Sequence, residues 1–580
     1  MSGRPRGTSY RPTQSRDARL RDPLTGPVIC CPSIIASPTE WSMPPPPRMW
    51  PKHRATLCYI CTMGEAKSDQ VAVLDFMASP GAYDSAPTEV DRIDTHASVV
   101  FLAGTRAYKI KRAVKYPFLD FSTLERRRRA LLNELRLNRR TAPPLYLEVI
   151  PITADEHRKF HVGGQGDVAE WVLVMRRFDQ AKLYDRMAEE GRLPLDAMIR
   201  LAQVISVFHQ SADRLLAPEP ALLALRAVIE DNETTLSARA DVLPGEVLAA
   251  VSRVSRDSLA ALALLLQART LGGYVRHCHG DLHLRNIVEI EGAPTLFDAI
   301  EFDDAVATID VLYDLAFLLM DLGARGLPAH ANAVLNAYLE ACGDTANLIG
   351  LAALPLFLSV RAMIRAKVEL LRASLNAGLQ SEVRRRATSY VLLARDYLET
   401  RGPQLIAIGG LSGSGKSSVA QALAPRLGAF PGAVHVRSDV ERKRMFGVAA
   451  DERLLRAAYT AEISDIVYGV CRKRALMALE GGQAVIVDAV HAKKEERDAV
   501  AEIAACAGAA FTGVWLDAPA DTMRGRIARR SGNVSDATPD VLGEQLGFDL
   551  GPQNFAVVDA GRPLDQVVAS CLELVRSPKG

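Results

Sequence analysis

The order of apolar and polar residues changes along the chain, and each pattern predicts a different kind of element. Short apolar runs at 98–103, 107–111, 147–150 and 171–175 are bounded by polar connections, which is the pattern of β-strands. A basic stretch that begins after them, at 122–140, has the spacing of a helix. Together these elements predict a small β-rich lobe that contains one helix.

The middle of the chain is rich in Ala and Leu, and its apolar residues recur at intervals of three and four. This spacing predicts helices over 184–270 and 310–399, with a polar island at 277–286 between them. The last stretch alternates apolar runs with helical segments, which is typical of a parallel sheet covered on both faces. The strands predicted there are 405–409, 434–437, 484–488, 511–516 and 555–558.

A chain of 580 residues is too long for one hydrophobic core, so we expect it to divide into domains. The patterns predict a disordered Pro- and Arg-rich tail at 1–65 and a first folded domain at 70–400. A second folded domain at 404–580 follows the short linker Arg401-Gly-Pro403. The predicted fold class is therefore a multidomain α/β protein with a parallel sheet in its second domain.

The composition is ordinary for a soluble globular protein, with 48% hydrophobic and 24% charged residues. The net charge of +2 gives no general case for a nucleic-acid or membrane partner. The nine cysteines are scattered, which indicates a reducing compartment, and Cys58 and Cys61 lack a second pair suited to a shared zinc ion. With no apolar core of signal-peptide type near the N-terminus, we expect a cytoplasmic protein.

The segment Gly410-Leu-Ser-Gly-Ser-Gly-Lys-Ser417 satisfies the pattern G-x-x-x-x-G-K-[ST] between a predicted strand and a predicted helix. Its glycines let successive N–H groups face one anion, and the helix N-terminus adds positive potential. Lys416 would reach the β- and γ-phosphates of a nucleotide, and Ser417 would ligate Mg²⁺. The predicted nucleotide-binding residues are Gly410, Gly413, Ser414, Gly415, Lys416, Ser417 and Ser418.

Three charged residues of the second domain are further candidates for the same site. Asp439 follows the second strand, at the edge where parallel strands form a ligand crevice, and could accept a proton from an acceptor hydroxyl. Asp488 ends an apolar strand and suits a Mg²⁺ site, with helix capping as the alternative role. Arg524 begins an Arg-rich helix before a predicted lid, where it would neutralise a transferred phosphoryl group or simply face solvent.

The polar island contains a second set of candidate residues. In His279-Gly-Asp-Leu-His-Leu-Arg-Asn286 a carboxylate, Asp281, stands five residues before an amide, and Asp298 stands 12 residues after that amide. Phosphoryl transfer to a hydroxyl needs an acceptor for the hydroxyl proton and oxygen ligands for Mg²⁺. A loop followed by a hairpin would bring these three side chains to one point. We expect His279 and His283 to brace the loop.

With these residues, the stretch 75–400 resembles the aminoglycoside phosphotransferase family, whose members are related to protein kinases and carry H-G-D-x-x-x-x-N. The resemblance implies a bilobal, protein-kinase-like α+β domain. It also implies that Asp281 is the catalytic base and that Asn286 and Asp298 are Mg²⁺ ligands. Unlike protein kinases, the chain has no G-x-G-x-x-G loop, and Phe297-Asp-Ala-Ile replaces Asp-Phe-Gly.

The same resemblance extends to the β-rich lobe. Ala107-Tyr-Lys109 matches the Ala-x-Lys of the third kinase strand, which implies that Lys109 contacts ATP and that Glu134 is its helix partner. Lys111 alternates onto the same face of the strand and stays an alternative for the ATP-contacting lysine. The stretch 171–178 would then be the hinge that holds adenine through backbone groups.

The second domain, over 404–575, resembles the group of gluconate kinases, polynucleotide kinases and zeta toxins. The whole chain resembles a bacterial fusion of an aminoglycoside-phosphotransferase-like domain with an ATP-binding kinase domain. This implies a cytoplasmic enzyme with ATP and Mg²⁺ at two sites, which phosphorylates hydroxyl groups of small molecules. The acceptor and the oligomeric state are left open.

Two alternatives belong to other functional classes. A nucleotide-sensing regulatory protein would bind ATP at one or both sites without turnover. A polynucleotide 5′-hydroxyl kinase would need a basic groove in the second domain, for which Arg437, Arg442, Lys443 and Arg444 are the available residues.

Overall fold

The structure is a computed structural model, and it describes residues 68–95, 97–116, 119–239, 242–374, 380–449, 452–529 and 535–576. The side chains of 68–69, 116, 371–374 and 380 are not described. All described residues belong to one compact unit of the chain. The predicted tail at 1–65, the Cys58 and Cys61 pair and part of the predicted lid lie outside the described residues.

The first part of the chain forms an antiparallel sheet and the helices that flank it. Its helices are α1 (Ser68–Met77) and α2 (Leu124–Asn138). Its strands are β1 (Val90–Asp94), β2 (Ser98–Ala103), β3 (Arg106–Lys111), β4 (Lys115–Tyr116), β5 (Leu119–Asp120), β6 (Tyr146–Ala154), β7 (Phe160–Val162) and β8 (Asp167–Arg176). In the part of the chain that the structure describes, six of these strands form one sheet in the order β1-β2-β3-β8-β6-β7.

The strands predicted from apolar runs are the central strands of this sheet. The run at 98–103 is β2, and the tight turn at Gly104, whose φ is +58°, returns the chain into β3. The edge strand β1 was not predicted, because its sequence Val-Asp-Arg-Ile-Asp is mostly polar and its residues are exposed except Val90. An edge strand with one solvated face gives little hydrophobic signal.

Helix α2 begins after Thr123, whose hydroxyl accepts a hydrogen bond from the backbone N–H of Arg126. This is the ordinary N-cap arrangement, which satisfies one of the free N–H groups of the first turn. The buried face of the helix carries Leu131 and Leu137 together with the polar residues Glu134 and Asn138, both of them fully buried. Two buried polar residues on the apolar face of a helix need polar partners, which indicates a functional site where this face packs.

The middle of the chain is mostly helical, as its three-and-four spacing predicts. The helices are α3 (Tyr184–Glu189), α4 (Leu195–Ser211), α5 (Pro218–Ser237), α6 (Gly245–Ala261), α7 (Ala263–Leu271), α8 (Asp304–Ala307), α9 (Val311–Ala324), α10 (Pro328–Cys342), α11 (Ala346–Gly350), α12 (Leu354–Ser374) and α13 (Gln380–Leu398). The polar island interrupts them with four short strands, β9 (Val275–His277), β10 (Ile287–Ile290), β11 (Ala293–Leu296) and β12 (Thr308–Asp310). These pair as the hairpin β10-β11 and the ladder β9-β12.

One stretch of the described chain, Ala346–Leu370, is long and apolar enough to cross a membrane by length and composition, with a mean hydropathy of 1.8. Inside the protein, 78% of the apolar 18-residue segment of this stretch is buried. Its residues pack in the largest apolar core together with α9 and α10. A core helix of this kind passes the same test of hydropathy as a membrane span. The burial therefore accounts for the apolar sequence.

The last part of the chain has the predicted alternation of strands and helices. The strands are β13 (Gln404–Gly409), β14 (Val434–Arg437), β15 (Val485–Asp488), β16 (Ala510–Asp517) and β17 (Ala556–Asp559). The helices are α14 (Lys416–Leu423), α15 (Ser438–Met445), α16 (Ala461–Glu480), α17 (Lys494–Cys506), α18 (Ala520–Ala528), α19 (Pro539–Gln545) and α20 (Leu564–Arg576). Over the described ranges the sheet order is β14-β15-β13-β16-β17, and every pairing is parallel.

Candidate functional sites

The polar island folds into a loop between β9 and β10, with Asp281 and Asn286 at its centre. The side-chain amide of Asn286 donates to Oδ2 of Asp281 over 2.9 Å and to the Asp281 carbonyl oxygen over 3.0 Å. Nε2 of His283 lies 3.4 Å from the same Oδ2. Burial opposes ionisation of Asp281, but His283, His279 and Arg365 together outweigh it, so the pKa of Asp281 lies below its usual range.

This loop is held from below by Asp314 of α9. The carboxylate of Asp314 accepts hydrogen bonds from the backbone N–H groups of His279 (3.1 Å) and Gly280 (2.9 Å). It also lies 3.1 Å from Nε2 of His209. The imidazole of His279 contacts the carbonyl oxygen of Phe297 over 3.0 Å. Through these contacts His279 braces the loop, as expected, and Asp314 holds its backbone.

The metal-ligand candidate Asp298 follows the hairpin β10-β11 and has a φ of +61°, in the left-handed region. Its backbone N–H donates to the hydroxyl of Tyr146 over 3.1 Å, and the next N–H, that of Ala299, donates to Oδ1 of Asn138 over 2.8 Å. A non-glycine residue with this φ persists only where its surroundings over-determine it. Tyr146 and the buried Asn138 supply that restraint.

Lys109, Lys111 and Glu134 form one network of charges between β3 and α2. Nζ of Lys109 lies 2.6 Å from Oε1 of Glu134 and 2.8 Å from Oδ1 of Asp298. Nζ of Lys111 lies 2.6 Å from Oε2 of Glu134, and it also pairs with Glu301. Only Lys109 therefore contacts the candidate metal ligand Asp298, among the contacts that the structure describes for these two lysines.

Burial and the neighbouring charges shift the pKa values of Lys109, Asp298 and Glu301. Burial opposes the charge of Lys109, but Asp298 and Glu134 outweigh it and raise the pKa of Lys109 well above its ordinary value. Loss of solvation likewise opposes ionisation of Asp298, while Lys109 lowers its pKa overall. The pKa of Glu301 is raised, because burial outweighs the effect of Lys111.

The side chains near this loop fit a magnesium ion. Mg²⁺ prefers oxygen ligands and usually takes one or two carboxylates together with the phosphates of a substrate. Asp298 offers a carboxylate, and the NH₂ group of Asn286 is engaged by Asp281, which leaves the amide oxygen as its possible ligand atom. The negative charge of Asp281 also acts on the pKa of Asp298, so the candidate base and the candidate ligand lie within electrostatic reach.

The glycine-rich loop connects β13 to α14, as its motif predicts. Gly415 has a φ of +98°, and a Cβ atom at Gly413 would lie 2.6 Å from the carbonyl oxygen of Met523. Position 415 favours glycine because other residues rarely adopt this φ, and position 413 requires glycine because any side chain would collide with that oxygen. Nζ of Lys416 donates to the carbonyl oxygens of Gly410 (2.8 Å) and Leu411 (3.1 Å), so the lysine lies over the loop that would hold the phosphates.

The second carboxylate candidate, Asp488, lies at the end of β15 beside this loop. The hydroxyl of Ser417 donates to Oδ2 of Asp488 over 2.6 Å, and Nε2 of His435 lies 3.3 Å from the same oxygen. Burial opposes ionisation of Asp488, but His435, Lys416 and Arg437 together outweigh it, so the pKa of Asp488 lies below its usual range. A hydroxyl and an ionised carboxylate in contact are a donor set that fits Mg²⁺.

Residues of the glycine-rich loop and Asp488 line a cleft of about 1580 Å³. Gly413, Ser414, Gly415, Lys416, Ser417 and Ser418 lie in its wall, together with Asp439 and Asp488. Pockets for one ligand of drug size have volumes of roughly 300–1,000 Å³. The cleft is therefore large enough for a nucleotide and a second small molecule.

The predicted lid arginine, Arg524, does not reach this cleft. Its side chain is exposed and pairs with Asp521 over 3.1 Å, because it points away from the loop on the outer side of α18. Arg526 lies two residues further, on the opposite side of the helix, and lines the cleft. Its guanidinium donates to the carbonyl oxygens of Ser414 (3.1 Å) and Ala560 (2.8 Å). The structure thus gives Arg526 the position that the sequence analysis expected of Arg524.

Several residues of both sites were not predicted from the sequence. Glu301, Asn138 and Tyr146 hold the Asp298 segment, and His435 contacts Asp488. A signal existed for Asn138, which is a polar residue four positions after Glu134 on a buried helix face. His435 gives no comparable signal, because it lies within an apolar strand and its contact depends on how β14 pairs with β15.

Comparison with known families gives the class of the protein. A model described as "Phosphotransferase enzyme family" matches residues 122–351, and one described as "AAA domain" matches residues 405–548. The first match contains the Asp281 loop and the second contains the glycine-rich loop. The protein is a fusion of an aminoglycoside-phosphotransferase-like domain with a C-terminal P-loop kinase-like domain.

The chain belongs to the family of the uncharacterized protein Rv2004c of Mycobacterium tuberculosis. The two are 30% identical over 519 residues, which is 87% of this chain and 100% of the relative. Among solved structures, a choline/ethanolamine kinase family protein from Mesorhizobium loti is 17% identical, with a TM-score of 0.36, and covers 57% of this chain and 95% of its own. The adenosine-phosphosulfate (APS) kinase CysC of Mycobacterium tuberculosis is 23% identical, with a TM-score of 0.23, and covers 30% of this chain and 99% of its own.

Proposed function

We propose that the protein is a cytoplasmic, ATP- and Mg²⁺-dependent kinase with two nucleotide sites, each of which phosphorylates a hydroxyl group of a small molecule. The observation that carries the proposal is the convergence of Lys109, Glu134 and Asp298 beside the Asp281–Asn286 pair. A lysine, a carboxylate, an amide and a potential base are the groups that phosphoryl transfer to a hydroxyl requires. The second site has the corresponding set in Lys416, Ser417 and Asp488.

In the first site, we propose that the antiparallel sheet and the helical part act as two lobes with the nucleotide between them. Asp281 accepts the proton of the acceptor hydroxyl, whose oxygen forms a bond to the γ-phosphorus while the bond to the leaving ADP oxygen breaks. Lys109 neutralises phosphate oxygens, and Glu134 orients it. Asn286 and Asp298 would hold Mg²⁺, which would offset negative charge on the phosphates when bound.

In the second site, the N–H groups of the loop from Gly410 to Ser417 bind the phosphates, and Arg526 adds positive charge from α18. Asp439 lines the same cleft and is the candidate acceptor of the hydroxyl proton. Ser417 and Asp488 would hold Mg²⁺. The size of the cleft supports a small acceptor bound beside the nucleotide.

The polynucleotide alternative receives less support from the charges of the cleft. Among its described lining residues, eight are basic and eight are acidic, and Arg456 pairs across the cleft with Glu544. A groove that follows a phosphate backbone concentrates positive charge, because each neutralised phosphate contributes to affinity. The balanced lining favours a small acceptor with mixed polar groups.

The proposal can be tested by mass spectrometry of a metabolite extract incubated with ATP labelled with ¹⁸O in its γ-phosphoryl group. Wild-type protein is compared with the variants Asp281→Asn and Lys416→Ala. We expect labelled products that disappear in one variant and persist in the other. Products that persist in both variants would refute the assignment of the sites. ATP binding without any labelled product would favour the sensor alternative.

A further inference from the structure

Helix α10 lies between the two candidate sites and contacts both parts of the chain. It packs against α4 and α9 of the phosphotransferase-like part and against β14 of the parallel sheet. In the described sheet order, β14 is an edge strand. The free edge of a sheet presents backbone N–H and C=O groups that need partners when they are buried.

Two asparagines of α10 supply hydrogen-bond partners to backbone groups at that edge. Oδ1 of Asn336 accepts a hydrogen bond from the backbone N–H of His435 over 2.7 Å, and its Nδ2 donates to the carbonyl oxygen of Ala433 over 3.1 Å. The side-chain amide of Asn332, one turn earlier on the same face, donates to the same carbonyl over 3.1 Å. The phosphotransferase-like part therefore supplies hydrogen-bond partners that a neighbouring strand would supply otherwise.

The residue held in this way, His435, contacts the P-loop site through its side chain. Its Nε2 lies 3.3 Å from Oδ2 of Asp488, and Asp488 accepts the hydroxyl of Ser417 at the same oxygen. A shift of the His435 backbone would therefore move a partner of the carboxylate that we assign to Mg²⁺. Asn336 stands three hydrogen bonds from Ser417, with His435 and Asp488 between them.

The opposite face of α10 is connected to the other site. The hydroxyl of Tyr338 lies 2.9 Å from Nδ1 of His209, and Nε2 of His209 lies 3.1 Å from Asp314. Asp314 holds the backbone N–H groups of His279 and Gly280, which immediately precede Asp281. All three side chains of this connection, Tyr338, His209 and Asp314, are at most 2% exposed.

The C-terminal end of α10 is fixed to the P-loop part as well. Arg444 donates to the carbonyl oxygen of Glu340 over 2.8 Å, and Arg474 donates to that of Gly343 over 2.9 Å. Nε of Arg474 also lies 3.0 Å from Glu441, which pairs with Arg444. Arginines at a helix C-terminus satisfy its free carbonyls and interact favourably with its dipole. The helix can therefore not slide without breaking contacts on both sides.

We propose that Asn336 and Tyr338 are positioning residues through which α10 couples the two sites. Binding of a Mg²⁺-nucleotide at the P-loop fixes Asp488 and His435, restrains α10 through Asn336, and so stabilises the loop before Asp281 through Tyr338 and His209. By linkage, occupation of the first site restrains the P-loop site by the same coupling free energy. This inference rests on the proposed function, because it requires the P-loop cleft to bind nucleotide.

The test is hydrogen–deuterium exchange of the full chain, followed by mass spectrometry. The background variant Lys109→Met/Asp298→Asn silences nucleotide binding at the first site, so that added Mg²⁺ and a non-hydrolysable ATP analogue can act only through the P-loop. We expect slower exchange at 410–418 and, in addition, exchange at 277–287 slowed by about fivefold or more, the lower range of allosteric couplings. Addition of Lys416→Ala must abolish both effects.

The decisive variants change Asn336 in that background. Asn336→Ala removes the acceptor for the His435 N–H, and we expect it to abolish the response at 277–287 while 410–418 stays protected. Asn336→Asp keeps an acceptor for the His435 N–H but places an anionic oxygen against the carbonyl oxygen of Ala433, so we expect it to weaken the response at 277–287 without abolishing it. Tyr338→Phe removes only the hydroxyl that contacts His209 on the other side of the helix. We expect it to abolish the response at 277–287 as well.

Three outcomes would overturn the coupling. Protection at 410–418 without any change at 277–287 leaves the P-loop nucleotide site standing and refutes the connection. A response at 277–287 that persists in both Asn336→Ala and Tyr338→Phe shows that α10 does not carry it. An absence of protection at 410–418 refutes the nucleotide site itself and the coupling with it.

Discussion

Nζ of Lys109 lies 2.6 Å from Oε1 of Glu134, and Lys111 takes the second oxygen of the same carboxylate. The two lysines lie on one strand and share one glutamate, but they differ in their other contacts. Lys109 also contacts Asp298, whereas Lys111 is 2% exposed and pairs with Glu301. In the proposed mechanism, phosphate binding therefore falls to Lys109, whereas Lys111 neutralises Glu134 and Glu301.

The first prediction compares Lys109→Met with Lys111→Met. Lys109→Met removes a positive charge aimed at developing phosphate charge, and we expect kcat at the first site to fall by about 10²–10³-fold with a small change in stability. Lys111→Met takes the lysine partner from Glu301 and one of the two lysine partners from the buried Glu134, and loss of a buried ion-pair partner costs about 3–5 kcal/mol. Steady-state kinetics and urea unfolding measure the two effects. A loss of stability in Lys109→Met that equals the loss in Lys111→Met would contradict this division of roles.

The second prediction concerns the catalytic base. Asp281→Asn keeps the shape of the side chain but removes the proton acceptor, so kcat should fall by about 10²–10⁴-fold. Nucleotide affinity, measured by calorimetry, should change little, because Asp281 is assigned to the acceptor. Asp304→Asn is the matched control, since Asp304 is exposed and contacts His277 on the neighbouring segment. Equal losses in both variants would argue for a general disturbance of the loop.

The third prediction separates two arginines of α18. Arg526 donates to the carbonyl oxygen of Ser414 in the phosphate-binding loop, while Arg524 pairs with Asp521 at the surface. Arg526→Ala should therefore lower kcat/KM of the P-loop site by about 10-fold or more, because a charge-assisted hydrogen bond contributes about 1.5–3 kcal/mol. Arg524→Ala should change it less than twofold, since exposed ion pairs contribute little. A larger loss of kcat/KM in Arg524→Ala than in Arg526→Ala would instead indicate that Arg524 acts at the P-loop site.

The fourth prediction is a pH dependence of stability that arises from His491. Burial lowers the pKa of His491 to about 4 in the folded protein, below the ordinary value of 6.5. The unfolded chain therefore binds the additional proton between pH 6.5 and pH 4, so stability is lost as the pH falls through this window. At pH 5 the expected loss from this group is about 2 kcal/mol relative to pH 7.5.

Urea unfolding of wild type and His491→Asn at pH 7.5 and pH 5 measures this contribution. Asparagine is the suitable replacement, because His491 has a φ of +50° and Asn tolerates that conformation. Carboxylates titrate in the same range, so the relevant quantity is the difference between the two proteins. If His491→Asn loses as much stability as wild type between the two pH values, His491 is not the source of the dependence.

The sequence by itself determined most of the architecture, because each element has a period that is a local property of the chain. The short runs at 98–103 and 107–111 predicted β2 and β3, and the five apolar runs of the last part predicted its five parallel strands within the described residues. The motifs around Lys416 and Asp281 were equally local. Their residue types and spacing were enough to assign phosphate and metal chemistry before any contact was known.

Only the tertiary structure decided which of several equivalent residues belongs to a site. Lys109 and Lys111 lie on one strand face, and Arg524 and Arg526 lie two residues apart, so spacing could not rank them. The choice depends on what packs against each side chain, namely Asp298 beside Lys109 and the loop at Ser414 beside Arg526.

The relationship of the two sites was also hidden from the sequence. The polar residues Asn332, Asn336 and Tyr338 have no motif, and each is ordinary on a helix of this composition. Their partners lie about 100 or more residues away along the chain, in β14 and α4. Hydrogen bonds over such separations are fixed by the packing of whole elements, which local patterns of residues do not encode. The sequence determined the two sites, and the tertiary structure determined that one helix contacts the residues that hold both.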